Sequence, residues 1–298
     1  MQLLRRHRRL LASLAILPAM LAAGCGTAER HAGPAAAYDA ALHNALPADV
    51  RTRGVLRIGT DASYAPASSF GPDGRTIVGF EPDLAAALGR VLGVKVRFQN
   101  RDFAGILDDV AAGRVDLAMS AVTDTRERER VVDFVNYFSA GTAIVVQRGN
   151  PAGITDLAGL CGRTVAVEKG TVQVDLLARS QRQCLDGARI RVRTYDTNAD
   201  ALLQLRTGRA DAVLNDYPPA ALLATDTRTR SDYQLASTAQ YEPGLYGIAV
   251  ARSDLRLRDT LRAALSRVMR SGDYRRILRR WGVGAGAVPQ AVINGRED

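Results

Sequence analysis

The chain has 298 residues, 47% hydrophobic and 24% charged, a globular balance that excludes disordered and collagen-like classes. Its formal charge is +9, but Lys95 and Lys169 are the only lysines among 40 basic residues, an arginine bias that reads as codon usage rather than a nucleic-acid surface. Three cysteines and three histidines show no zinc-ligand spacing, and no segment beyond residue 24 is apolar enough for long enough to span a bilayer, so neither a metal nor a cofactor is expected.

Residues 1–24 carry Arg5, Arg6, Arg8 and Arg9, then the apolar run Leu10–Leu21, then Ala22-Ala23-Gly24 before Cys25. A basic start, an apolar stretch too short to span and small residues before a cut describe an export signal. Ala-Ala-Gly-Cys resembles the bacterial lipobox, in which the cysteine is acylated; a plain cleaved signal with an incidental cysteine is the alternative. Without residues 1–24 the charge falls to +5. Cys161 and Cys184 then remain, an even pair in an oxidising location, read as a disulfide with two buried free thiols as the alternative. Residues 25–50 are rich in alanine and read as a flexible tether with one helical turn around Tyr38–Leu46.

From there the pattern alternates. Val55–Thr60 predicts a strand ending at Gly59-Thr60. Asp83–Leu92 has helical spacing (Leu84, Ala87, Leu88, Val91) and stops at Gly93. Val94–Phe98 predicts a strand, Phe103–Ala112 a helix and Val115–Met119 a short buried strand. The same alternation returns in Thr164–Val167, Val172–Arg182, Ile190–Thr194, Asn198–Arg206 and Ala210–Leu214. Gly113-Arg114-Val115-Asp116-Leu117-Ala118 and Gly208-Arg209-Ala210-Asp211-Ala212-Val213 match in kind, 95 residues apart. Both are helix stops leading into strands. Two α/β units with polar residues just past strand ends predict two facing lobes with a ligand between them.

Four places offer ligand chemistry. In Ser120-Ala121-Val122-Thr123-Asp124-Thr125-Arg126-Glu127-Arg128, a strand enters a hydroxyl-rich turn, with Asp124 or Thr125 as N-cap of a following helix. Arg128 in the first turn of that helix opposes the helix dipole unless an anion sits nearby, so a carboxylate receptor is one reading and a solvated Arg-Glu face the other. Glu168-Lys169-Gly170-Thr171 is a βα turn whose free N–H groups at Thr171 and Val172 would serve the same anion. Asn215-Asp216-Tyr217-Pro218-Pro219 makes Asp216 either a helix cap or a cleft-facing acceptor for an ammonium. Asp61-Ala62-Ser63-Tyr64 follows the first strand, and with Phe103 it forms a candidate clamp for a ligand side chain.

These residues resemble the extracytoplasmic solute-binding proteins of polar amino-acid ABC importers, family 3. The matching runs are RIGTDASYAP at Arg57–Pro66, VGFEPDL at Val78–Leu84, DLAMSAVTDTRERERVVDF at Asp116–Phe134, VAVEKGT at Val165–Thr171, GRADAVLND at Gly208–Asp216, YGIAV at Tyr246–Val250, and Gly272-Asp273-Tyr274 with Trp281-Gly282. The resemblance implies a type II periplasmic-binding-protein fold: two α/β lobes, each a mostly parallel sheet flanked by helices, joined by two crossover hinge strands. Lobe one would take 51–140 and 246–285, lobe two 147–240, and 286–298 would be a C-terminal tail. By the family pattern Arg128, helped by Thr123 and the Gly170–Val172 backbone (Gly170, Thr171, Val172), clasps an α-carboxylate. Asp216 and the Ala121 carbonyl take the α-ammonium. Asp61, Tyr64, Phe103, Ser120, Glu168, Gln173 and Asn215 surround the side chain.

Two departures stand out. Ala67-Ser68 replaces the common Phe-Glu after Tyr-Ala-Pro, and Glu168 stands where some glutamine binders have lysine. Asp61 with Glu168 makes an acidic side-chain pocket, which favours a neutral polar or cationic ligand unless Lys169 or Arg101 neutralises it. The resemblance implies binding without covalent chemistry, a free amino acid and an ABC permease as partners, a lipid anchor through Cys25, an extracytoplasmic location, no nucleic acid and a monomer. The rival is a dehydratase on the same fold acting on cyclic amino-acid precursors. Its candidate acids are Glu168 and Asp61, since His7, His31 and His43 all precede the lobes.

Overall fold

A computed structural model describes residues 35–185 and 187–296; the leader read at 1–24 and the acylation candidate Cys25 lie outside them. Two short helices come first. α1 (Ala40–Ala45) is capped by Asp39, whose carboxylate accepts from the Ala41 and Leu42 N–H groups, and α2 (Ala48–Arg53) stops at Gly54. The stretch read as a tether is therefore packed from Ala36 onward. The Ala36 N–H donates to Asp273 at 2.7 Å, and Leu46 and Val50 are buried in the larger core. Leu46 lies just past α1 and Val50 within α2, so the two anchors sit on different elements and leave no helical periodicity to read in the alanine-rich composition.

β1 (Val55–Thr60) opens the main sheet, and β2 (Ser63–Tyr64), β3 (Ser68–Phe70) and β4 (Ile77–Val78) form a small antiparallel sheet of their own. Gly79, at φ 149°, turns the chain so tightly that a Cβ would lie 1.9 Å from the Ala67 carbonyl oxygen. α3 (Phe80–Leu92) then buries Leu84, Ala87, Leu88 and Val91 as the spacing predicts. It begins three residues earlier than expected, because Pro82 falls in its first turn, where no N–H is needed.

β5 (Lys95–Asn100), a 3-10 turn at Phe103–Gly105, α4 (Ile106–Ala111) and β6 (Leu117–Ala118) complete the first unit. β7 (Val132–Gln147) is a single 16-residue strand leading to the second. That unit comprises β8 (Thr164–Glu168), α5 (Val172–Ser180), β9 (Arg191–Tyr195), α6 (Asn198–Arg206), β10 (Ala212–Asp216), α7 (Tyr217–Thr225) and β11 (Tyr233–Leu235). β12 (Tyr241–Ala251) returns, followed by α8 (Leu255–Arg270) and α9 (Asp273–Arg280).

The sheet order is β5-β1-β6-β12-β7-β10-β8-β9. β1 pairs in parallel with β5 and β6, and β8 in parallel with β9 and β10. β7 and β12 run antiparallel to each other and join the two parallel groups. The molecule thus has the two-lobe periplasmic-binding architecture, with β7 and β12 as crossover strands. Each half carries apolar clusters on both sheet faces, as buried parallel strands require.

The 95-residue sequence match has a structural cause. Gly113 and Gly208 adopt φ near +70° at helix ends. The aspartate three residues on then fastens the central strand of its half: Asp116 accepts from the Arg57 N–H and Asp211 from the Thr164 N–H, each at 2.7 Å. The stretch read as a C-terminal tail instead folds back along β7. Ala287 bridges Phe138, Ile293 bridges Val135, and the Asn294 side chain accepts from the Phe134 N–H.

Cys161 and Cys184 form a disulfide, with Cα atoms 5.5 Å apart. Removing it with Cys161→Ser and Cys184→Ser is expected to destabilise the β8 half by about 3 kcal/mol, the chain-entropy value for a loop of this size. Thermal melts of the oxidised and double-serine proteins check this; coincident melts would refute it. Among the described residues no helix is long and apolar enough to cross a membrane, and no cluster of metal-ligating side chains occurs.

Candidate functional site

The parallel strands deliver the site. Asp61 follows β1, Ser120 and Ala121 follow β6, Glu168 ends β8 and Asp216 ends β10. All of them line one cavity, with Tyr64, Phe103, Thr123, Thr171, Val172 and Gln173. The cavity is narrow, about 20 Å³, and contacts between the two halves hold it shut. The Tyr64 hydroxyl donates to Asp216 Oδ2 at 3.0 Å and accepts from the Asp216 N–H at 2.9 Å. Arg128 donates to the Gly170 carbonyl at 2.9 Å. Gly170 must be glycine: at φ 78°, a Cβ would lie 3.0 Å from Ala104 Cα of the opposing half.

Asp216 occupies the N-cap position of α7, yet its side chain caps nothing. Its carboxylate is turned toward the cavity, where Gln173 Nε2 donates to Oδ1 at 2.8 Å. Burial raises its pKa to about 6 against the Tyr246 and Tyr64 hydroxyls, the Gln173 amide and the Arg128 charge, which favour the ionised form. Tyr246 opens the YGIAV run, whose local pattern gives it no ligand role. Its place beside Asp216 depends on the return of β12, which local pattern does not reveal.

Arg128 does not open an α-helix. Residues 128–130 form a single 3-10 turn, and β7 begins at Val132, because Val131, Val132 and Phe134 favour a buried strand. Neither expected cap holds that position: the N-cap is Glu127 and its side chain caps nothing, while the Thr125 hydroxyl accepts from the Arg128 N–H at 3.3 Å and Asp124 accepts from Asn136. The guanidinium donates to the Thr123 carbonyl at 2.8 Å and lies 5.6 Å from the Phe103 ring centroid. Arg128 and Gly170 line a recess that shares Phe103, Thr171 and Val172 with the cavity. Desolvation lowers the Arg128 pKa, countered by Asp216. Arg126 and Arg130, its neighbours, are exposed.

Asn215 is the residue that the structure removes from the expected set. Side chains alternate along β10, so with Asp216 toward the cavity, Asn215 faces the other side with Val213, where its Nδ2 has no partner.

The Asp61 and Glu168 side chains are both buried, come from opposite halves and lie within hydrogen-bonding reach of each other. Burial, then the facing Asp61, then Asp216 push the Glu168 pKa up to about 10. Glu168 Oε1 has no hydrogen-bond partner. Neither candidate neutraliser reaches the pair: Arg101 lies 3.3 Å from Asp109 and donates to Gln99, and Lys169 is exposed.

The sequence profile of bacterial extracellular solute-binding proteins, family 3, matches residues 56–284. The arginine-binding protein ArgT of Corynebacterium glutamicum is 33% identical over 255 residues, covering 84% of this chain and 81% of that protein. The L-cystine-binding protein TcyJ of Escherichia coli is 30% identical over 78% of this chain and 84% of its own. Among solved structures, an ancestral arginine-binding protein bound to arginine superposes with a TM-score of 0.71 at 33% identity, covering 77% of this chain and 98% of that one.

Proposed function

The chain belongs to the bacterial extracellular solute-binding proteins of family 3, and from that premise we propose that it captures an amino acid with a cationic side chain, arginine foremost, and hands it to an ABC import permease. The observation that carries the choice of side chain is the buried pair Asp61 and Glu168, which neither Arg101 nor Lys169 reaches, at the cavity wall. A buried carboxyl pair is costly unless it meets a cation, and a planar guanidinium offers donors to both partners at once. The arginine-binding relative and structural neighbour agree with this reading.

The ligand backbone is assigned to groups that line the cavity and the recess beside it. Arg128, Thr123 and the N–H groups that open α5 at Thr171 and Val172 take the α-carboxylate. Asp216 and the Ala121 carbonyl take the α-ammonium. Tyr64, Phe103, Ser120 and Gln173 enclose the side chain together with the acid pair. Lobe one is assigned to 51–140 with 246–285 and lobe two to 147–240, so that a ligand is held by both and closure buries it. Residues 1–24 are the export leader and an acylated Cys25 is the membrane anchor of a monomeric protein.

A thermal-shift screen of the twenty amino acids on the form starting after Cys25 tests this. A ligand at 100 times its dissociation constant adds about 2.7 kcal/mol of stability. Arginine, and more weakly lysine, are expected to raise the melting temperature, and glutamate is not. A response confined to neutral or acidic amino acids would overturn the cationic assignment, and turnover of prephenate or arogenate would overturn binding as the sole activity.

A further inference from the structure

Glu81 is fully buried in the first turn of α3, yet it does not line the cavity. Three donors from three elements converge on its carboxylate. Oε1 accepts the Ala121 N–H at 2.6 Å and the Tyr137 hydroxyl, and Oε2 accepts the Ser68 hydroxyl at 2.8 Å. Ser68 is one of the two residues at which this chain departs from the common family run. A buried carboxylate is a costly way to fill a core, since an apolar side chain of similar volume would stabilise the fold at least as well.

Ala121 is the unusual partner. It is a non-glycine residue at φ 49°, the left-handed region, and it lines the cavity. Such a conformation persists only when its surroundings impose it, and it clusters at binding sites. Its N–H is drawn inward to Glu81, away from the strand ladder. Tyr137, the second donor to Oε1, has its ring 6.4 Å from that of Tyr246, which sits beside Asp216. The carboxylate therefore stands behind both groups assigned to the ligand ammonium.

We infer that Glu81 is a positioning residue for recognition of the ligand's α-ammonium: by holding the Ala121 N–H it fixes the left-handed turn that aims the Ala121 carbonyl into the cavity. This rests on the assignment of ligand backbone groups above. The role needs an acceptor in place, not a charge. Glu81→Gln keeps an acceptor for Ala121 and Tyr137 and turns its amide donor to the Ser68 hydroxyl, whereas Glu81→Leu leaves the Ala121 N–H buried and unpaired.

The test compares L-arginine with 5-guanidinopentanoate, which lacks only the α-amino group, by calorimetry and competition on wild type, Glu81→Gln and Glu81→Leu. Glu81→Leu is expected to weaken arginine by roughly 30-fold and the deamino ligand by less than about threefold, and Glu81→Gln to restore arginine to within about threefold of wild type. Equal loss for both ligands would reduce Glu81 to a general structural role, and a Gln variant as weak as the Leu variant would show that charge rather than positioning matters; either overturns the inference. If Glu81→Leu fails to fold, Ser68→Ala with Tyr137→Phe frees the same carboxylate without touching the cavity. It is expected to cost arginine severalfold and the deamino ligand little, and a loss that is absent or unselective overturns the inference equally. Arginine failing to bind wild type would bear on the cationic reading alone, and the same comparison would then use the amino acid that binds and its deamino counterpart.

Discussion

Arg128→Ala and Asp216→Ala are each expected to weaken amino-acid binding by about 30-fold to several-thousand-fold while leaving the protein folded. A zwitterion entering a cavity this narrow sheds the hydration of two full charges. That is tolerable only if each charge meets a fixed opposite partner with hydrogen bonds. Arg128 and Asp216 are both prepared for this. Arg128 is oriented by the Thr123 carbonyl and the Phe103 ring, and Asp216 by Gln173 and Tyr64. Truncating one partner of such a desolvated pair typically costs about 2–5 kcal/mol. Arg126→Ala and Arg130→Ala are the controls. Both side chains are exposed, so each substitution is expected to change affinity by less than about 1 kcal/mol. If calorimetry showed Arg126→Ala to be as damaging as Arg128→Ala, the carboxylate assignment would fail.

The cavity lining is legible where a short chain segment both carries the group and sets its direction. Strand ends put Asp61, Ser120 and Glu168 at the cavity because parallel strands share a carboxyl edge, and that edge can be read from alternating strand and helix. Asp216 was legible too, as either cap or acceptor, and the prolines that follow start α7 without its side chain. Asn215 stays off the cavity because its direction follows the facing of β10, which is set by pairing with β7 and β8 rather than by local sequence. The cap residues and charges of the Arg128 segment suggest a helix, but the β-branched residues after it belong to a crossover strand whose partner, β12, lies about a hundred residues away. Glu81 and Tyr246 share that difficulty. Each is polar, buried and joined to the site by contacts across 40 residues or, for Tyr246 and Asp216, from another strand altogether. The alanine-rich segment before β1 resembles a tether because its buried residues, Ala36, Leu46 and Val50, are few and scattered and its polar cap at Asp39 is ordinary.

Binding of arginine near neutral pH is expected to release about one proton, and Glu168→Gln is expected to abolish that release. In the empty protein Glu168, with a pKa of about 10, carries a proton at pH 7 beside the Asp61 carboxyl. A guanidinium placed between the two supplies the opposite charge that ionised Glu168 lacks, so its pKa falls and the proton leaves. The bound state then holds fewer protons than the free state, and raising the pH favours it. Arginine affinity should climb by up to about tenfold per pH unit between pH 6 and 8, within the interval separating bound and free pKa values. The stability of the empty protein should move the other way. Its folded Glu168 pKa is raised, so between about 4.5 and 10 the folded state holds a proton that the unfolded chain has lost, and stability declines as pH rises through that window. Calorimetry at pH 7 in buffers of different ionisation enthalpy counts the protons directly. A count near zero for wild type would mean that Glu168 is already ionised, or that the side-chain cation lies elsewhere. Glu168→Gln mimics the protonated acid and cannot ionise. It should bind arginine more weakly than wild type, with a flat pH dependence, and should treat glutamine almost as wild type does, because a neutral amide gives Glu168 no reason to part with its proton.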